Sequence, residues 1–410
     1  MTETGSLLRR LECRSCCTEV DPDRRAGVCP TCGLALLATY DLDRLDRKGW
    51  LRDLAGRPPS LWKYRELLPI VRTESIASLG EATTPVISLG KAATGEGLEL
   101  MLKDDGGLPT GSFKARGMAV AVSRARELGL HELFVPSAGN AGVALAAYGA
   151  RAGVRVRVYL PEDTPATMKA SSRLYGAEVR LVPGTLRDAG VAARKAESGS
   201  GAFDMSTMRE PYRVEGKKTM GFEIFEQLHP GAIPDAIVYP TGGGTGLVGM
   251  FKAFSELRTL GLLERTPRLL AVQPEGCAPV VRALREESPR AEPWAEPSTI
   301  APGLLVPAPF SSERVLEAVR ESRGGGVVVS DLEIALAVSE LARLHGVSAS
   351  PEGAAPYAAV PRLVKEGLLR PHERVLLYNT GSGIPFVGAD WQRPPGDGKG
   401  ETPELPPRRP

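Results

Sequence analysis

The chain has 410 residues, 42% apolar and 24% charged, an ordinary globular composition that excludes a fibrous or disordered protein and leaves room for two or three domains. Fifty-one basic residues against 49 acidic ones give a formal charge of +2, which excludes the strongly basic footprint of a nucleic-acid binder. No apolar run approaches the roughly 20 residues of a membrane helix, and the start MTETGSLLRR has no signal-type apolar segment, so a cytoplasmic protein without membrane contact is expected.

Five of the six cysteines, Cys13, Cys16, Cys17, Cys29 and Cys32, stand together near the start, and only Cys277 lies elsewhere. Cys13 and Cys16 are spaced CxxC, as are Cys29 and Cys32, and the segment they span carries Pro22, Gly27 and Pro30. Four thiolates on two such knuckles match a closed tetrahedral zinc site, which would replace the apolar core that residues 1–40 lack. Reduced thiols or two disulfides are the alternatives, and Cys17 is a spare that can stand in for Cys16. Zinc bound by four cysteines leaves no open position, so the expected role is structural.

Residues 39 to 82 link this knuckle to the main body through an amphipathic pattern broken by Pro58 and Pro59, suited to packing or to a dimer contact. From residue 98 onward apolar strand-type runs at 98–102, 132–136, 154–160, 236–240, 268–273 and 374–379 alternate with Ala-rich helical stretches, among them 331–346. That alternation predicts βαβ units and parallel sheets in two doubly wound α/β layers across residues 41–390, the smaller of them spanning about 115–205 as an insert in the larger. The tail, residues 391–410, is rich in Pro, Gly and charge and is expected to be disordered.

Four turns carry the chemistry. In KDDGGLPTGSFKARG (103–117) a strand ends in a Gly/Pro turn and Lys114 opens a helix, where burial and the positive end of the helix dipole lower an amine pKa, as condensation with a carbonyl requires. Alone, such a lysine is more often a solvated surface residue. SAGNAG (137–142) follows a strand and precedes a helix, so Asn140 can donate to a ring oxygen and Ser137 with the backbone amides can hold a carboxylate; a plain helix cap is the other reading. PTGGGTG (240–246) lets the amides of Gly242, Gly243 and Gly244 converge on one phosphate, with the Thr245 hydroxyl at the helix start. It is neither GxGxxG nor a Walker loop and suits a monoester. NTGSG (379–383) brings Thr380 and Ser382 to the same sheet edge.

In this order the four motifs resemble the fold type II pyridoxal phosphate enzymes, and within them the threonine synthases, over about residues 80 to 390. PTGSFKARG is similar to that family's lysine motif PTGSFKDRG, and EPYRVEGKKT (210–219) to its NPYRLEGQKT. The resemblance implies pyridoxal 5'-phosphate bonded covalently to Lys114, with Asn140 at the ring 3-oxygen, Gly242 to Thr245 at the cofactor phosphate and Thr380 at the pyridine nitrogen. It further implies Arg213 at the substrate phosphate, a small amino-acid substrate, conversion of O-phospho-L-homoserine and water to L-threonine and phosphate, and a homodimer. The chain departs from the pattern at Ala115, Ala141, Thr207, Met208, Ile384 and Pro385, and Lys103, Arg116, Arg213, Lys217 and Lys218 are the cations expected to compensate for the missing anion donors. A serine or threonine dehydratase, a β-replacement synthase of cysteate-synthase type, and a non-catalytic regulatory protein on the same scaffold remain the alternatives.

Overall fold

Apolar runs of five to seven residues between glycine- and proline-rich turns become the strands of three sheets in a computed structural model that describes residues 5–91 and 97–387. The first is antiparallel, made of β1 (Leu8–Glu12), β2 (Glu19–Val20) and β3 (Leu37–Tyr40) in the order β2-β1-β3. Helix α1 (Arg47–Gly56), β4 (Val86–Lys91), β5 (Glu99–Asp104) and α2 (Lys114–Glu127) follow. The chain then builds a parallel four-stranded sheet through β6 (Glu132–Pro136), α3 (Asn140–Ala152), β7 (Arg155–Pro161), α4 (Ala166–Leu174), β8 (Glu178–Val182), α5 (Leu186–Ala196) and β9 (Phe203–Asp204), in the order β8-β7-β6-β9.

Helix α6 (Tyr212–Leu228) leads back to a larger sheet. It is completed by β10 (Ala236–Pro240), α7 (Thr245–Thr259), β11 (Arg268–Pro274), α8 (Pro279–Arg285), α9 (Ser312–Glu321), β12 (Gly325–Val329), α10 (Asp331–His345), α11 (Pro351–Lys365) and β13 (Arg374–Asn379). Its order is β12-β11-β10-β13-β5-β4, parallel except for the edge strand β4. The fold is the expected mixed α/β architecture with two doubly wound layers, and the expected strand runs lie within two residues of those observed. Among the strands that escape the apolar pattern are β8, an edge strand with charged side chains exposed, and β12, whose first two residues are glycines. The tail expected to be disordered, residues 391–410, lies outside the described residues.

Parallel strands covered on both faces alternate between two cores. In β10, Ile237 and Tyr239 join the apolar cluster that includes Met118, Phe222 and Met250, whereas Ala236 and Val238 join the one beneath α11 with Leu363. β13 repeats the division, Leu376 and Tyr378 on one side and Val375 and Leu377 on the other. The linker around α1 packs, with Trp50 and Tyr64 against Phe222 at ring-centroid distances of 6.1 and 5.3 Å.

Two ion-pair networks are sealed inside this frame. Arg116, two residues past Lys114, is 1% exposed and donates to both oxygens of Asp105 at 2.7 and 2.8 Å and both oxygens of Glu223 at 2.6 and 2.9 Å. Lys103 donates to Glu223 at 2.8 Å, to the Thr84 carbonyl at 2.6 Å and to Gln227 at 2.8 Å, and the Tyr378 hydroxyl reaches Asp105 at 3.1 Å. In the second network, also on α6, Lys218 lies 2.9 Å from both Glu215 and Glu256, Lys252 donates to Glu215 at 2.7 Å, and the Tyr40 hydroxyl reaches Glu215 at 2.8 Å. Tyr40 closes β3, so this second network fastens the amino-terminal sheet to α6 and α7. Lys103, Arg116 and Lys218 are therefore not the free anion-binding cations expected from the sequence, because each is paired with buried carboxylates.

Removing one member of such a network strands the opposite charges away from water, at a cost of about 3–5 kcal/mol. Arg116→Ala should lose that much stability in chemical denaturation, and retention of wild-type stability would show the network to be dispensable. Burial alone would raise the Glu223 carboxyl, but Arg116 and Lys103 overcome it and hold it down to about 2. Its stabilising contribution is accordingly complete above the ordinary glutamate pKa and should fade as pH falls through that range toward 2.

Candidate active site

The carboxyl ends of β5, β6, β10 and β13 open into one cavity of about 360 Å³, within the range of small-molecule sites. Turn chemistry aims the loops inward. Before Lys114, Thr110 and Gly111 both have positive φ (62° and 70°), which turns the chain out of the strand and into α2. This loop is laced to the last one: Phe113 N donates to Thr380 O at 3.0 Å and Ser382 N to Gly111 O at 2.9 Å. Lys114 thus starts its helix at a fixed position, with its amine 4.1 Å from the centroid of the Phe113 ring. Burial, with the Arg213 guanidinium adding to it, pushes the ammonium down to about 7, while Glu352 pulls the other way.

Three further turns face the lysine. In the first, Gly139 adopts φ 138°, ψ −92°, a conformation closed to side chains, just before α3. The Ser137 hydroxyl, 3% exposed, accepts from the amides of Gly139 and Gly142 at 3.0 and 2.9 Å and donates to the Gly139 carbonyl. It shapes the loop, and Asn140, half-buried at the start of α3, is the side chain left facing the cavity. In the second turn Gly244 has φ 72° and opens α7; a Cβ there would collide with Val315, and one on Gly243 would lie 2.8 Å from Thr207. The helix start and these bare amides form a cradle for an anion. Thr380 closes the third turn at the end of β13, 5% exposed and lining the cavity.

Among the described residues, two buried oxygens in the cavity wall have no hydrogen-bond partner, the Tyr239 hydroxyl and Glu352 Oε2. An unsatisfied polar pair beside an amine and an anion cradle fits a polar ligand such as a phosphorylated pyridine aldehyde. Glu352 is a site residue that the sequence motifs do not single out. Ser350 caps α11 by accepting from Gly353 N, Pro351 takes the first position and Glu352 the next, a helix start legible in the sequence. Only the fold shows that Oε1 accepts from Gly303 N at 2.7 Å and that the residue faces the cavity of Lys114. Arg213 does not line the cavity. It is 2% exposed, its Nη1 donates to the Met205 carbonyl at 2.6 Å, and it lies 4.0 Å from Glu210. Lys217, one turn further on, is fully buried, and among the described residues its amine has no hydrogen-bond partner; burial, then Arg213 and Lys114, drive it well below the lysine range.

Away from the cavity, the thiols of Cys13, Cys16, Cys29 and Cys32 converge with all four sulfurs within 4.8 Å of one another, as close as 3.4 Å for Cys13 and Cys32. A tetrahedral zinc with bonds of about 2.3 Å needs edges of about 3.8 Å, so the donor set fits. The two knuckles repeat each other. Cys17 N donates to Cys13 O and Gly33 N to Cys29 O at 2.8 and 2.9 Å, and both residues after the second cysteine have positive φ, Cys17 57° and Gly33 72°.

A helix-initial lysine of lowered basicity, ringed by glycine turns at the carboxyl ends of parallel strands, defines a pyridoxal-phosphate dependent enzyme. The chain belongs to that family, whose model matches residues 77–381. Within it, similar proteins are threonine synthases. That of Methanosarcina acetivorans is 36% identical over 373 residues, covering 90% of this chain and 91% of its own, and that of Methanocaldococcus jannaschii is 34% identical over 374 residues, covering 91% and 92%. The solved structure of a threonine deaminase from T.th. superposes with a TM-score of 0.58 and 28% identity, over 70% of this chain and 87% of that one.

An amine condenses with an aldehyde only in its neutral form, so with Lys114 as the amine that bonds the cofactor, reconstitution of the apoprotein with pyridoxal phosphate should accelerate as pH rises through about 7 and level off above it. Stopped-flow absorbance checks this, and a rise delayed to the ordinary lysine range would contradict the assigned environment of Lys114.

Proposed function

We propose that the chain is a threonine synthase, converting O-phospho-L-homoserine and water to L-threonine and orthophosphate. The observation that carries this is the likeness to threonine synthases over nine-tenths of the chain, together with the cavity that gathers Lys114 and the glycine turns. In this reading Lys114 bonds the cofactor, Gly242 to Thr245 hold its phosphate at the start of α7, Asn140 meets the ring 3-oxygen and Thr380 presents a neutral hydroxyl to the ring nitrogen. When bound, pyridoxal phosphate supplies an electron sink for negative charge at the substrate's reacting carbons. The amides of the Ser137–Gly142 turn hold the substrate carboxylate, and the Ser137 hydroxyl keeps that turn in shape. The Lys114 amine, close to neutral at physiological pH, takes a proton from Cα and returns one further along the chain. Phosphate departs from Cγ and water adds at Cβ, so the atoms of substrate and water are all recovered in threonine and phosphate.

Purified holoenzyme should release orthophosphate from O-phosphohomoserine in step with threonine. Keto-acid formation from serine or threonine, without phosphate release, would move the reading to a dehydratase. Lys114→Ala should lower turnover by at least the roughly 10²–10⁴-fold typical of losing a positioned acid–base group. Borohydride reduction should fix cofactor in the wild type and not in the variant; cofactor fixed to Lys217, the neighbouring buried amine, would overturn the assignment.

We infer also that Cys13, Cys16, Cys29 and Cys32 bind a structural zinc. Cys17 then occupies the left-handed position that Gly33 fills in the second knuckle, and it is not a ligand. Cys32→Ser should lose metal and loosen the amino-terminal sheet while cofactor absorbance persists. Cys17→Gly should keep one zinc per chain and melt no lower than the wild type, since glycine relieves the positive φ. Loss of zinc from Cys17→Gly would make Cys17 a ligand.

A further inference from the structure

The cavity is lined by cations as well as by its glycine turns. Three guanidinium side chains line it, Arg187 and Arg194 from α5 and Arg209 from the segment before α6. Among the described residues, none of these three side chains makes a hydrogen bond or an ion pair with a protein acceptor. Arg187 stands exposed on the rim, and Arg194 and Arg209 are half-buried. The Arg209 guanidinium lies 4.1 Å from the centroid of the Phe310 ring, another lining residue, which holds it against the wall. The nearby carboxylates are already engaged: Asp204 accepts from Ser206, and Asp188 closes the capping box of α5 with Thr185. Desolvation and the Arg194 charge both disfavour the Arg209 cation, with Asp204 the opposing influence. Two like charges face one cavity, and among the described residues neither has a carboxylate within ion-pair distance, Asp204 acting on Arg209 only from further off, an arrangement that favours an anionic ligand.

The arrangement also answers what the departures left open. Ala141 and Thr207 line this cavity in place of the stronger anion donors, and Lys103, Arg116, Lys217 and Lys218 are all sealed away from it. Arg213 is turned to the Met205 carbonyl. A phosphate monoester carries about −1.5 to −2 charges near neutral pH, which two guanidinium forks can match in both charge and geometry.

Building on the proposed reaction, we propose that Arg194 and Arg209 are the specificity-determining residues that bind the leaving phosphate of the substrate, in the place the family resemblance gives to Arg213. The pair holds the leaving phosphate, while Gly242 to Thr245 serve the cofactor phosphate, and so selects substrates whose leaving group is an oxyanion.

The test uses holoenzyme and inorganic phosphate as probe. Arg209→Gln and Arg194→Gln should each lower kcat/KM for O-phosphohomoserine, and weaken calorimetric binding of inorganic phosphate, by about ten to a hundredfold, the value of one charge-assisted contact. Cofactor absorbance should be unchanged in both. Arg209→Lys keeps the charge without the fork and should fall between wild type and Arg209→Gln, which separates recognition from misfolding. Should Arg213→Lys abolish phosphate binding while Arg209→Gln and Arg194→Gln retain it, the proposal is overturned. It is equally overturned by wild-type holoenzyme that turns over O-phosphohomoserine but is matched by both glutamine variants. If the wild type releases no phosphate from O-phosphohomoserine, yet binds inorganic phosphate and loses it on Arg209→Gln, the anion site stands and the threonine synthase reading fails.

Discussion

The buried quartet of Lys103, Asp105, Arg116 and Glu223 is the constraint on which the rest of the structure depends. Its formal charges cancel, and every member is 0 or 1% exposed. Lys103 belongs to β5, Asp105 to the turn after it, Arg116 to α2 and Glu223 to α6, while Tyr378 of β13 adds its hydroxyl. Strand, turn and two helices are thereby tied together at a point two residues past Lys114. A reactive amine on a helix start is useful only if that start cannot wander, and a network whose rupture would strand charges in the apolar interior enforces that position.

The same pairing of charges explains the cavity. Lys103, Arg116 and Lys218, paired with buried carboxylates, act as struts, whereas Arg194 and Arg209, which make no ion pair among the described residues, line the ligand space. Lys114 stands between the two groups: desolvated enough to be close to neutral, and near enough to Glu352 to keep part of its basicity. The family resemblance alone would have assigned all these cations by type. Their division of labour follows from which carboxylates the fold places beside them.

The amino-terminal sheet is less peripheral than its position in the chain suggests. Tyr40 joins the Glu215 network, Arg124 of α2 donates to the Pro22 carbonyl and to Asp23 at 2.8 and 2.7 Å, and Gly27 packs so tightly that a Cβ would lie 2.7 Å from the Arg209 carbonyl. The loop between the cysteine knuckles thus backs the wall that carries Arg209. The module adds Leu11, Leu36 and Ala38 to the main apolar cluster, and it is held by its cysteine cluster at one end and by the body of the enzyme at the other.

Sequence by itself determined the features that depend on local chemistry. Apolar runs separated by helical stretches specified parallel βαβ layers, Gly111, Gly139 and Gly244 marked turns that need unusual backbone angles, and the paired CxxC spacing gathered four thiols. Lys114, Asn140, the glycine loop and Thr380 accordingly line one cavity. β8 and β12 were hidden because exposed charge on one and leading glycines on the other dilute the apolar pattern. Tertiary structure alone decided which charges meet. Arg116 and Glu223 are 107 residues apart, Lys103 and Glu223 are 120 apart, and nothing local distinguishes a buried strut such as Arg116 from a cavity cation such as Arg209. Likewise Glu352 reads in sequence as an ordinary helix-start acid and becomes a cavity residue only when β13 and α11 are packed together. A turn is set by bond rotations within a few residues, but the fate of a charge is set by the partners that folding brings to it from far along the chain.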